Sequence, residues 1–119
     1  MSLEEFQKFI DEQDAFFRSL GNSASDRERI LARTVKLSEE LGELCDEVLA
    51  SLGIQRKAKL ENRDPNGLGN EFADVIIVAF LLAKSLNIDV KAALERKMQK
   101  IREKHNVQLL SAKGDSNAL

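Results

Sequence analysis

The chain has 119 residues, 43% of them hydrophobic and 32% charged, with a net charge of −2 and a pI near 5.5. That length predicts one domain able to bury a core. The missing basic surplus excludes a nucleic-acid backbone as the main ligand, and the longest apolar run, Val75–Ala83, is far short of the ~18 residues that suggest a membrane span.

One Pro, six Gly, no Tyr or Trp, and no strand-type alternation predict an all-α protein. The single cysteine, Cys45, excludes an intrachain disulfide and is expected to be a buried, inert thiol. No apolar segment follows a basic N-terminus, so no secretion signal is expected and the cytoplasm is the expected location.

In chain order, Leu3, Phe6, Ile10, Phe17 and Leu20 form the stripe of a first helix over 3–20, which Gly21 and Asn22 can end. Ser25, with Glu28 three residues on, is a capping box for a long second helix over 26–52. Residues 53–70 read as irregular and locally basic at Arg56, Lys57, Lys59 and Arg63, with helix possible over 54–61. Asp64-Pro65-Asn66-Gly67 has turn chemistry, and Asn70 is the expected cap of a third helix over 71–86. That helix is apolar on every side, which predicts cover from a second chain and hence a homodimer or homotetramer. Asn87 is placed to end it, and Asp89 to cap a fourth helix reaching about 106. The expected organisation is one four-helix bundle-like domain over 1–110 and a flexible tail over 111–119.

Chemistry concentrates on the second and third helices. Leu37, Leu41, Leu44 and Val48 keep a core-facing period, and Glu40, Glu43 and Glu47 follow that period on the flank of the stripe. Glu40–Glu43 and Glu71–Asp74 are pairs three apart, so each pair shares a helix face. Four convergent carboxylates resist ionising together unless a cation joins them. Oxygen-only ligands select a hard ion such as Mg²⁺, with Mn²⁺ as a possible substitute. A di-iron site wants Glu-x-x-His on two helices, which the sole His105 does not supply, and zinc is disfavoured for the same reason. Arg33 and Lys36 stand in the row of Glu40, and Lys97 falls inside the apolar stripe of the fourth helix with Lys100 on its flank. An inward lysine needs an anionic partner, so acids, a hard metal and cations together suit a polyphosphate. Phe6, Phe9 and Phe16 are available for a base pocket, or as plain core.

KLSEELGEL at 36–44, followed by GNEFADVIIVAFLLAKSLNID at 69–89, resembles the MazG-type all-α nucleoside triphosphate pyrophosphohydrolases, whose pattern is EExxE, a spacer, then ExxD. Glu39-Glu40-Leu41-Gly42-Glu43 and Glu71-Phe72-Ala73-Asp74 match it. KMQKIREKH at 97–105 resembles the family's lysine-rich end of the fourth helix, although Ile101 and Lys104 stand where asparagine and arginine are frequent. The resemblance implies a dimer or tetramer holding Mg²⁺ through Glu40, Glu43, Glu71 and Asp74. It implies hydrolysis of a nucleoside triphosphate to monophosphate and pyrophosphate, in nucleotide clean-up. Glu39 or Glu43 is then the candidate base towards water, and Lys36, Lys97, Lys100 and Phe16 the candidate substrate contacts. Two alternatives stay open: phosphoribosyl-ATP pyrophosphohydrolysis in histidine synthesis, and a non-enzymatic helical interaction module.

Overall fold

The computed structural model describes residues 1–20, 24–54 and 64–117, those from 111 onwards by backbone alone. Among them it is all-helical, with helices α1 (Leu3–Ser19), α2 (Asp26–Ser51), α3 (Gly67–Ser85) and α4 (Val90–Asn117) and no strand. The first three belong to a compact unit, Met1–Ile88, and α4 to a second, Asp89–Leu119.

Local chemistry explains most of the boundaries. Ser25 Oγ accepts from the Glu28 amide at 3.1 Å and starts α2. Ser2 caps α1 in the same way through the Glu5 amide. Gly53 (φ 73°) and Asn87 (φ 55°) adopt the left-handed conformation after α2 and α3. In each case the next residue's amide reaches back to close the end, Ile54 to the Leu49 carbonyl and Ile88 to the Ala83 carbonyl, both at 2.9 Å. Asp89 Oδ1 accepts from the Ala92 amide at 3.0 Å at the start of α4.

Two boundaries differ from expectation. α3 begins at Gly67, so Asn70 lies within it and is not its cap. The turn is the reason: Asp64 holds the Asn66 amide through Oδ1 at 2.9 Å and the Gly67 amide through its carbonyl at 3.0 Å, and Asn70 N–H already bonds Asn66 C=O. α4 continues to Asn117, well past 106, because no proline interrupts its backbone. The expectations for the Gly21-Asn22 stop, the basic segment through Arg63 and helix over 54–61 fall on or largely on 21–23 and 55–63, outside the described residues.

Within the first unit, α3 packs chiefly on α2, and α1 also packs on α3. Phe6 meets Phe80 edge to face at 4.7 Å, and Lys84 bonds Asp11 at 3.0 Å. Ile10, Ala50, Val78 and Leu81 are buried. So are three polar residues, Asp14, Arg33 and Glu40. Arg33 Nη1 donates to Asp14 Oδ1 (2.8 Å), the Leu81 carbonyl (3.0 Å) and Ser85 Oγ (2.5 Å), which pins all three helices at one point. Glu40 and Glu43 lie beside Glu71 while Arg33 reaches Leu81 and Ser85, so α2 and α3 run antiparallel.

Cys45 is exposed, contrary to expectation. It shares its face of α2 with Leu41, Val48, Leu49 and Leu52, large apolar residues that the chain itself leaves open. Phe72 and Ile76 on α3 are about half exposed as well. No helix among the described residues is long and apolar enough to cross a membrane.

Candidate functional site

The second acid of each motif pair is one turn from the first, and the antiparallel packing of α2 on α3 sets one motif against the other. Carboxylate oxygens of Glu40, Glu43 and Glu71 all lie within 4.8 Å of one another. Glu40 is buried, Glu71 partly so, and Glu43 is exposed. Asp74 stands outside that trio, one turn further along α3 on the wall of the adjoining cavity.

The trio's electrostatics are unfavourable as it stands. Burial first, and then the charges of Glu43, Asp74 and Glu40 with a hydrogen bond to Glu43, push the Glu71 carboxyl above its ordinary 4.5. Oε2 of Glu40 and Oε2 of Glu71 are buried with no hydrogen-bond partner. A buried acceptor without a donor is costly, and a hard divalent cation is the species that would satisfy several such oxygens at once. The donor set, oxygen only, fits Mg²⁺ or Mn²⁺ and offers nothing to softer ions.

Lys36 is the cation of this site. Its Nζ bonds Glu40 Oε1 at 3.0 Å and lies 3.8 Å from Glu39 Oε2. The hydrogen bond and charge of Glu40 hold its ammonium above the ordinary 10.5, so it is charged throughout the neutral range. Glu39 is exposed and outside the carboxylate trio.

A cavity of about 710 Å³ opens from this cluster. Lys36, Glu40 and Asp74 form one end. Phe17, Leu20, Ala24, Ile77, Val78 and Leu81 give it an apolar wall, and Gln13, Arg29 and Arg33 are set into that wall. Sequence reasoning missed most of this far end. The aromatic on the cavity wall is Phe17; Phe16, the expected base contact, is 55% exposed and outside the lining, because it lies about 100° round α1 from its neighbour. Asp14 was missed as well. An acid four residues after Ile10 and three before Phe17, inside the apolar stripe, was the available signal. Burial pushes its carboxyl up, but hydrogen bonds from Arg33 and Arg18 and their charges outweigh this and hold it below its ordinary 3.8.

Lys97 and Lys100 are exposed on α4, with Leu94, Met98 and Ile101 between 43% and 47% exposed around them.

The model of the MazG-like family matches residues 31–113. The chain belongs to the MazG-like family. The uncharacterised protein YpjD of Bacillus subtilis (strain 168) is 40% identical over 70 residues, 59% of this chain. That match spans 61% of the curated relative's length. A crystal structure of Bacillus subtilis YpjD, described as a candidate pyrophosphatase, aligns with a TM-score of 0.64 at 30% identity, covering 84% of this chain and 94% of that one.

Proposed function

We propose that this protein hydrolyses nucleoside triphosphates, ribo- or deoxyribo-, to the monophosphate and pyrophosphate with Mg²⁺, in clearing unwanted nucleotides from the pool. The observation that carries the reading is the continuity of one cavity from the carboxylate cluster and Lys36 to an apolar, aromatic wall, which matches a polyphosphate joined to a base. The MazG-like family and the pyrophosphatase description of the YpjD structure support the reaction class.

In this reading Glu40, Glu43, Glu71 and Asp74 hold the metal. When bound, Mg²⁺ would supply charge neutralisation for the phosphates and a more acidic water. The chain's own residues do the rest. Lys36 offers three N–H donors and a fixed positive charge to the phosphates. Glu43, exposed at the edge of the trio, is best placed to accept the proton of the attacking water, and Glu39 orients Lys36. The van der Waals wall of Ile77, Val78 and Leu81 excludes water from the far side of the substrate. Lys97 and Lys100 join as further phosphate cations on the strength of the family pattern alone.

The same proposal includes a homodimer or homotetramer. A large apolar face on α2 and α3, from Leu41 to Leu52 and at Phe72 and Ile76, is open in the single chain and suits burial against a second copy.

The test is a panel of nucleoside and deoxynucleoside triphosphates with Mg²⁺, read by pyrophosphate release. Pyrophosphate from at least one of them, lost on chelation and in Glu43→Gln, is the expected result. Release of orthophosphate alone, or full activity in Glu43→Gln, overturns the mechanism.

A further inference from the structure

The cavity has a second pole, where Gln13, Glu28, Arg29 and Arg33 are the polar groups of the lining. From Glu40 to Arg33 is seven residues along α2, about 10 Å at ~1.5 Å per residue. That is on the order of the distance from the α-phosphate to the far edge of the base in an extended nucleotide. Phe17 and Arg33 both line the cavity. Arg33 is 8% exposed, and its Nη1 is fully engaged with Asp14, Leu81 and Ser85. Its Nη2 is buried with no partner, and so is Nε of Arg29, which also lines the cavity. Guanidinium groups donate and never accept. Asp14 spends Oδ1 on Arg33 and Oδ2 on Arg18, and Asp26 Oδ1 takes Nη2 of Arg29. Nη2 of Arg33 is therefore left as a buried donor without a partner, set beside apolar side chains where an unmade hydrogen bond is costly.

We infer that this pole is the base subsite, with Arg33 donating through Nη2 to a ring carbonyl of a base stacked on Phe17, so that the enzyme selects bases with a carbonyl at the purine six- or pyrimidine four-position (guanine, hypoxanthine, uracil, thymine) against adenine, which has an amino group there. The inference rests on the triphosphate reading above and deepens it. A ring carbonyl accepts, as Nη2 of Arg33 requires, whereas the amino group that adenine carries at the same position donates and cannot partner a guanidinium. Sites built around a buried hydrogen-bonding group reject analogues that lack its partner more strongly than purely apolar pockets do. Asp14 and Ser85 do not touch the base in this arrangement. They are positioning residues, which hold the guanidinium plane.

Inosine and adenosine nucleotides make the cleanest comparison, because they differ only in the six-position group and the adjoining ring proton. With Mg²⁺, kcat/KM for inosine triphosphate is expected to exceed that for adenosine triphosphate by on the order of 10–100-fold, the range for a hydrogen bond to a charged donor. Arg33→Lys keeps a cation for Asp14 and removes the second nitrogen. The ratio should then fall to within about threefold, with uridine and guanosine triphosphates losing in the same direction. A variant that melts earlier but keeps the wild-type ratio would show that Arg33 only holds helices together, and would overturn the inference. Should Arg33→Lys not fold, the wild-type ratio decides alone. Calorimetry with inosine and adenosine monophosphates, without metal, separates this from the hydrolytic reading. Tighter binding of the inosine compound with no turnover of any triphosphate supports the subsite and sinks the reaction. Equal affinities sink the subsite even if every triphosphate is hydrolysed.

Discussion

Glu40→Gln separates a metal ligand from a structural acid. Glu40 is 5% exposed, with Oε1 on Lys36 at 3.0 Å and Oε2 buried without a partner. In the metal-free protein the substitution removes one exposed-side ion pair, since Lys36 is 55% exposed, and such a pair contributes about 0–1 kcal/mol. It also removes one of three crowded carboxylates, which acts in the opposite direction. The metal-free variant should therefore melt within a few degrees of the wild type. With metal the two diverge. At a Mg²⁺ concentration of ~100 Kd, binding stabilises the wild type by about 2.7 kcal/mol. Losing one carboxylate ligand weakens binding by on the order of 100-fold, at least the effect of losing a second-shell partner. At the same Mg²⁺ concentration the stabilisation then falls to about 0.4 kcal/mol. For a domain of this size the first figure is a rise in Tm of roughly 8–13 °C and the second about 1–2 °C. Differential scanning fluorimetry over a Mg²⁺ and Mn²⁺ series reads both. A wild type whose Tm ignores both ions, or a variant that keeps the full rise, refutes the assignment of Glu40. A variant already unfolded without metal shows a structural acid instead.

Asp14→Asn should cost about 3 kcal/mol, the low end for breaking a buried ion pair, because Arg33 keeps the Leu81 carbonyl and Ser85. Asp14 has a folded-state pKa below 3.8, so its contribution is present above that pH and is lost as pH falls through the depressed value. Thermal melts descending through that range should show a slope in the wild type that the variant lacks. Gly69→Ala, in the first turns of α3 with nothing within 4 Å of the new methyl, should raise stability by about 0.5–1 kcal/mol in denaturant titrations and leave turnover unchanged. Static light scattering should return a mass that is a multiple of 13.3 kDa. Ile76→Glu, at a site 48% exposed on α3, should reduce it to one chain, whereas a wild type of one chain's mass sinks the assembly.

Helix starts and stops were legible because they depend on neighbours in sequence. Ser25 with Glu28, Gly53, Asn87 and Asp89 each act within five residues, and each acts as its chemistry dictates. The start of α3 was misplaced at Asn70 because two cap-capable asparagines compete, and the Asp64 turn, not intrinsic preference, selects the earlier one. The trio Glu40, Glu43 and Glu71 could be anticipated from two short motifs on two helices. Cavity walls could not. Whether Phe16 or Phe17 faces inward is decided by one residue's rotation of α1, and that rotation is set by contacts far apart in sequence, Phe6 on Phe80 and Asp14 on Arg33. Burial of Cys45 was inferred from its place beside an apolar stripe, and the thiol is exposed instead.

The two buried charged features of the first unit differ in a way that bears on their roles. Asp14 has both carboxylate oxygens engaged, by Arg33 and Arg18, and is held below its ordinary pKa, so the folded chain favours its charged form. Glu71 alone is pushed the other way, by burial and by the neighbouring carboxylates, and two of the trio's oxygens have no partner. A fold selected only for stability would keep the first arrangement and discard the second, since crowded carboxylates contribute nothing to packing and repel one another. The carboxylates stand in the chain at motif spacing, on α2 and α3, which Arg33 ties together through the Leu81 carbonyl and Ser85 Oγ about 10 Å away along α2. Arg33, itself held by Asp14, thus does for the acidic cluster what the cluster cannot do for itself: it keeps the two helices together against the mutual repulsion of three crowded carboxylates.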